Sequence, residues 1–107
     1  MVYTIRVDEG YKILELSGEV DLNESPQARK QILELLKEGF DLLVDLSAVE
    51  YIDSSGVASL VEGYQIAKTD SLKFGLIGVS DAAMQVLQLA RLDKVFPIFD
   101  SAASAKG

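Results

Sequence analysis

Residues 42–46 read Leu-Leu-Val-Asp-Leu, and an apolar run of this kind is typical of a strand covered on both faces of its sheet. Such a strand belongs to a parallel arrangement, in which neighbours are reached through long crossovers, usually helical. The flanking sequence supplies them. Upstream, Ala28, Ile32, Leu35 and Leu36 fall on one helical face. Asn23 or Ser25 is a candidate cap, Pro26 is tolerated in a first turn, and Gly39 stands where a helix C-terminal glycine belongs. Downstream, Val57, Leu60, Val61 and Tyr64 make a second apolar stripe, and a short loop after the strand delivers Asp53-Ser54-Ser55-Gly56 to its start.

The remaining segments extend this pattern. Val2 to Val7 is rich in β-branched and aromatic residues and reads as a strand, Asp8-Glu9-Gly10 as a turn, and Lys12 to Leu16 as the returning strand of a hairpin. Ser17 to Asp21 follows as a loop. Leu72 to Val79 is a fourth strand. Asp81 is placed to cap a third helix with Ala83, Met84, Leu87 and Ala90 inward. Phe96-Pro97-Ile98-Phe99 is a last short strand, and its proline favours a sheet edge. Ser101 to Gly107 is small and polar and is expected to fray, with room at most for a final helical turn. The order β-β-α-β-α-β-α-β predicts an α/β fold, a single domain over residues 1–107. Its mixed, mostly parallel sheet of about five strands is built with right-handed crossovers and has helices packed on it.

Composition removes several function classes. The 107-residue chain has no cysteine and no histidine, so disulfides, thiol chemistry and a Ser-His-Asp triad are excluded and the commonest zinc ligand is missing. Its formal charge of −7 opposes nucleic acid and anionic membranes and favours a basic partner face. No segment offers the roughly 20 apolar residues of a membrane helix. The start, Met1 to Arg6, has no signal-peptide core. A cytoplasmic protein without cofactor, metal, nucleic acid or membrane insertion is expected. It is also expected not to be an enzyme. Asp21, Asp45 and Asp53, with Lys12 or Lys94, show no paired-carboxylate spacing. Gly63 and Gly75-Leu76-Ile77-Gly78 lack the spacing of a phosphate loop. Tyr3, Tyr11, Tyr51 and Tyr64 read as core or strand-face residues.

Asp53-Ser54-Ser55-Gly56 admits two readings. Aspartate and serine are ordinary helix caps, and a serine hydroxyl at a helix N-terminus is also a place to receive a phosphate. Gly56 favours the second, because glycine costs about 1 kcal/mol against alanine inside a helix and so points to a close approach to the backbone, here by a visiting kinase. Asp45 interrupts its strand and is expected at the C-terminal end, its carboxylate on loop amides, with Ser47 as a turn former.

The stretch Asp45-Leu46-Ser47-Ala48-Val49-Glu50-Tyr51-Ile52-Asp53-Ser54-Ser55-Gly56-Val57, together with Gly18-Glu19-Val20-Asp21, resembles the STAS family, in particular the bacterial anti-sigma factor antagonists. The resemblance covers nearly the whole chain. It implies that Ser54, the first serine after the aspartate, is phosphorylated by an anti-sigma factor serine kinase and reset by a serine phosphatase. The residues themselves do not separate Ser54 from Ser55. The resemblance also implies that Asp21, Asp53, Ser55 and Gly56 meet the partner, with Asp21 and Asp53 on one acidic rim. A cap for the following helix is the alternative role for Asp21. Relatives of the same fold imply two other functions: a scaffold subunit of a stress-signalling assembly, or a small cytoplasmic subunit of a lipid transporter.

Overall fold

Glu9 and Gly10 both have positive φ, 55° and 82°, the two-residue turn whose twist suits a hairpin. They join β1 (Thr4–Asp8) to β2 (Tyr11–Val20) in a computed structural model that describes residues 2–106. The chain continues through α1 (Ser25–Lys37), β3 (Leu42–Ile52), α2 (Ser54–Thr69), β4 (Phe74–Ile77), α3 (Asp81–Leu89), β5 (Ile98–Phe99) and α4 (Ala102–Lys106). The strands lie in the sheet in chain order, β1 antiparallel to β2 and the others parallel.

That order determines where the helices go. Each crossover steps to the next strand in the same direction, so right-handed connections put α1, α2 and α3 on one face. Leu14, Leu16, Val44, Leu46 and Leu76 of the sheet meet Ile32, Leu36, Leu60 and Leu87 of these helices in the main core. The opposite face holds a smaller cluster of Tyr11, Ile13, Leu43 and Ile77 under Ala102 and Ala105. The run Leu42-Leu43-Val44 is thus buried on both faces, as its sequence predicts.

The expected fraying tail is corrected by this second cluster. Ala102 is buried on the sheet, the Ser101 hydroxyl accepts a hydrogen bond from the Ser104 N–H at 3.2 Å, and Lys106 pairs with Glu9 at 3.3 Å. Gly107 lies outside the described residues.

Two strands run further than expected. Ser17 to Val20 continues β2 and Ser47 to Ile52 continues β3, and these extensions pair with each other. The inward residues Leu46, Val49 and Ile52 are three apart, which breaks strict strand alternation. The cause is a pair of bulges. From the pair Glu15–Asp45 to the pair Ser17–Ala48, β3 uses one residue more than β2, and again between Gly18–Val49 and Glu19–Tyr51. Gly18, at φ 67°, supplies the backbone bend that reads as a loop. Ser47 is therefore a strand residue. Asp45 lies within the strand, not at its end; it accepts from the Ser47 N–H at 2.9 Å and from the Arg6 guanidinium at 3.3 Å.

The caps differ in detail. Glu24 is the N-cap residue of α1 without a side-chain cap bond, so neither Asn23 nor Ser25 fills that role. Ser80 caps α3 by accepting from the Ala83 N–H, and Asp81 is the first helical residue. Ala90 ends α3 exposed to solvent. β4 is shorter than Leu72 to Val79 because the chain turns at both ends of Phe74–Ile77.

Candidate functional site

The second bulge of β3 aims Ile52 into the core and turns the chain into α2 through Asp53. With extended backbone, φ −105° and ψ −174°, Asp53 points its carboxylate back over the first helical turn. One oxygen accepts from the Ser55 N–H at 2.9 Å, the Gly56 N–H at 3.1 Å and the Ser55 hydroxyl. The Leu22 N–H also donates to this carboxylate. The Ser55 hydroxyl first, and these backbone donors with it, hold Asp53 below the usual carboxylate range.

This cap separates the two serines. Ser55 is half-buried and its hydroxyl is committed to Asp53. Ser54, the first residue of α2, is exposed, and its hydroxyl has no hydrogen-bond partner among the described residues. The helix is complete at its N-terminus without using Ser54.

Gly56 answers to a different neighbour from the one expected. It is buried, and a Cβ there would fall 2.7 Å from the Val20 carbonyl oxygen and 2.7 Å from Ile52 Cγ1. The close approach that glycine permits is made by β2 and β3 of the same chain, not by a visitor.

The same contact ties the second loop to the first. The Asp53 N–H donates to the Val20 carbonyl at 3.3 Å. One residue on, Asp21 is half-buried, and its carboxylate accepts from the N–H groups of Asn23 and Glu24 at 3.0 and 3.2 Å. Asp21 thus braces the turn that leads into α1, three residues before the cap position, Glu24, and does not fill the capping role that the sequence offered as its alternative. Asp21, Asp53, Ser54, Ser55 and Gly56 come together at the carboxyl ends of β2 and β3, and Glu19, Asn23 and Glu24 add to the polar surface around Asp21.

On its other side Ser54 borders a groove of about 590 Å³ between α2 and α3. Val57, Ala58 and Val61 form one wall, and Val86, Leu89 and Ala90 the other. Leu89 is 87 % exposed. Arg29 reaches from α1 to grip Glu62 at the groove's rim in a bidentate pair, 2.7 and 2.8 Å. Sequence reasoning missed this groove, Leu22 and the Val20 carbonyl. An available signal was Leu89, an apolar residue off the inward stripe of its helix. Among the described residues no cluster of three or more carboxylates stands ready to hold a metal ion, and no helix is long and apolar enough to cross a membrane.

Residues 3–105 match the STAS domain family. The chain belongs to that family. This STAS domain is 29 % identical over 99 residues to RsfB of Mycobacterium tuberculosis, an anti-sigma-F factor antagonist, with 92 % of this chain and 80 % of the relative covered. A solved anti-sigma factor antagonist from Mycobacterium paratuberculosis superimposes with a TM-score of 0.83 at 27 % identity, covering 97 % of this STAS domain and 89 % of that chain. The Bacillus protein SpoIIAA, solved unphosphorylated and phosphorylated, shares the fold with a TM-score of 0.73 in both forms. The two structures are 18 % and 19 % identical to this domain, which is covered to 97 % in each, with 93 % and 96 % of the SpoIIAA chains covered.

Proposed function

We infer that this STAS domain is an anti-sigma factor antagonist switched by phosphorylation of Ser54. In its unmodified form it docks on an anti-sigma factor that is also a serine kinase, and so frees a sigma factor in the cytoplasm. The kinase then transfers phosphate from ATP to Ser54, binding is lost, and a serine phosphatase restores the hydroxyl. The observation that carries this reading is the contrast at the start of α2: Ser54 is exposed and unbonded while Ser55 is held by Asp53. The kinship with named antagonists supports the same reading.

The switch works through local charge. A phosphate adds about −1.5 to −2 charge at neutral pH. On Ser54 it would stand beside Asp53, with Asp21 on the adjoining loop, on a chain already at −7. The partner face that fits this acidic rim and the apolar groove is basic at one end and apolar at the other. Like-charge juxtaposition across an interface costs several kcal/mol, and each ~1.4 kcal/mol is tenfold in affinity. Because Asp53, not Ser54, caps α2, the fold has no stake in the Ser54 hydroxyl.

The test is intact mass after incubation with ATP and each serine-kinase anti-sigma factor of the host, followed by peptide mapping. A single phosphate on Ser54, absent in Ser54→Ala, is expected. No phosphate with any active kinase, or phosphate mapped to Ser55, would overturn the reading.

A further inference from the structure

A second cavity, of about 320 Å³, opens at the other end of the sheet, where β2, β3 and β4 begin. It shares no residue with the groove beside Ser54. Its volume lies at the lower end of the ~300–1,000 Å³ typical of small-molecule sites. Tyr11, Leu43, Tyr64, Phe74 and Phe99 form its walls, and Ala105 of α4 closes one side. Gly75 keeps this wall tight, since a Cβ there would stand 3.1 Å from the Phe99 ring and 3.2 Å from Leu43 Cδ2.

The rim is cationic, although the molecule is acidic. Lys73 lines the mouth, and the Lys68 ammonium lies 5.6 Å from the centre of the Tyr64 ring. Neither ammonium has a carboxylate partner among the described residues. Of the acids on this side, Asp41 stands at the rim itself and accepts from the Lys73 backbone N–H at 2.9 Å, and Glu9 pairs with Lys106 at 3.3 Å. The rings of Tyr64 and Phe74 stand 6.1 Å apart, tilted by 54°, and each also packs on the buried Phe96, at 5.6 and 6.3 Å, so this wall is aromatic and held in place by the core.

We propose that this cavity binds a small aryl anion, its ring among the aromatic walls and its acidic group between Lys73 and Lys68. The probe is 1-anilinonaphthalene-8-sulfonate, titrated into the intact, isotopically labelled protein and followed by backbone amide shifts. Saturable shifts centred on Tyr11, Phe74, Phe99 and Ala105 are expected. N-phenyl-1-naphthylamine has the same rings without the sulfonate and is expected to bind more weakly, as is the anionic probe to Lys73→Glu, by roughly fivefold. Lys73 is exposed, so this variant keeps the fold. Shifts centred on the Val57–Leu89 groove, equal affinity for the neutral probe, or no weakening in Lys73→Glu would each overturn the proposal.

Discussion

The carbonyl oxygen of Val20 occupies the space that a side chain on Gly56 would need, 2.7 Å from the position of its Cβ. The end of β2 and the first turn of α2 are therefore pressed together, and the two loops that carry Asp21 and Ser54 are set by one contact.

Gly56→Ala should force these elements apart. Backbone cannot yield as the tip of a flexible side chain does, and overpacking of this kind costs about 1–3 kcal/mol. A urea titration is expected to show the lower midpoint with an unchanged slope. Stability equal to that of the parent would contradict the contact.

Asp53 makes the start of α2 sensitive to acid. Its folded-state pKa is lowered, first by the Ser55 hydroxyl, so its contribution is complete above the usual carboxylate range. That contribution is lost as pH falls through the lower folded value. Asp53→Asn is expected to melt a few degrees below the parent at neutral pH and to converge with it on acidification below about pH 4. A gap that stays constant from neutral to acidic pH would remove the charged cap from the account.

The two serines should separate cleanly. Ser54→Ala should match the parent in thermal melting and dock on the kinase without being phosphorylated, while Ser54→Asp should dock weakly. Ser55→Ala should lose about 1 kcal/mol of stability with its bond to Asp53 and still accept phosphate on Ser54. Far-ultraviolet circular dichroism should be the same before and after phosphorylation. Loss of helical signal, or equal affinity of Ser54→Ala and Ser54→Asp for the kinase, would sink the electrostatic switch.

Asp21 braces a turn and also presents charge, and two substitutions divide these roles. Asp21→Asn keeps an oxygen to accept from Asn23 and Glu24 and removes the charge. It is expected to weaken docking, read by isothermal titration against the kinase, while leaving the melting temperature unchanged. Asp21→Ala should lose both. If Asp21→Asn docks as tightly as the parent, Asp21 is structural only.

What was legible in the sequence was whatever depends on period and on local chemistry. The inward stripes of α1 and α2, the Glu9-Gly10 hairpin and the run 42–44 could be read directly. The extensions of β2 and β3 could not, because two bulges space Leu46, Val49 and Ile52 by three residues, a spacing that fits neither strand nor loop. At the site, Asp53 as cap was legible from residue type. Gly56 was misread because its close neighbour, Val20, lies far away in the chain. The difference between Ser54 and Ser55 depends on where one hydroxyl turns, which no residue pattern records.

Asp53 caps α2 without Ser54, so the same folded framework would serve both states of the proposed switch. Neither state has to wait for the chain to rearrange. In the proposed switch the lifetime of the signal is then set by the kinase and the phosphatase, and the domain would keep whichever state they last left on it.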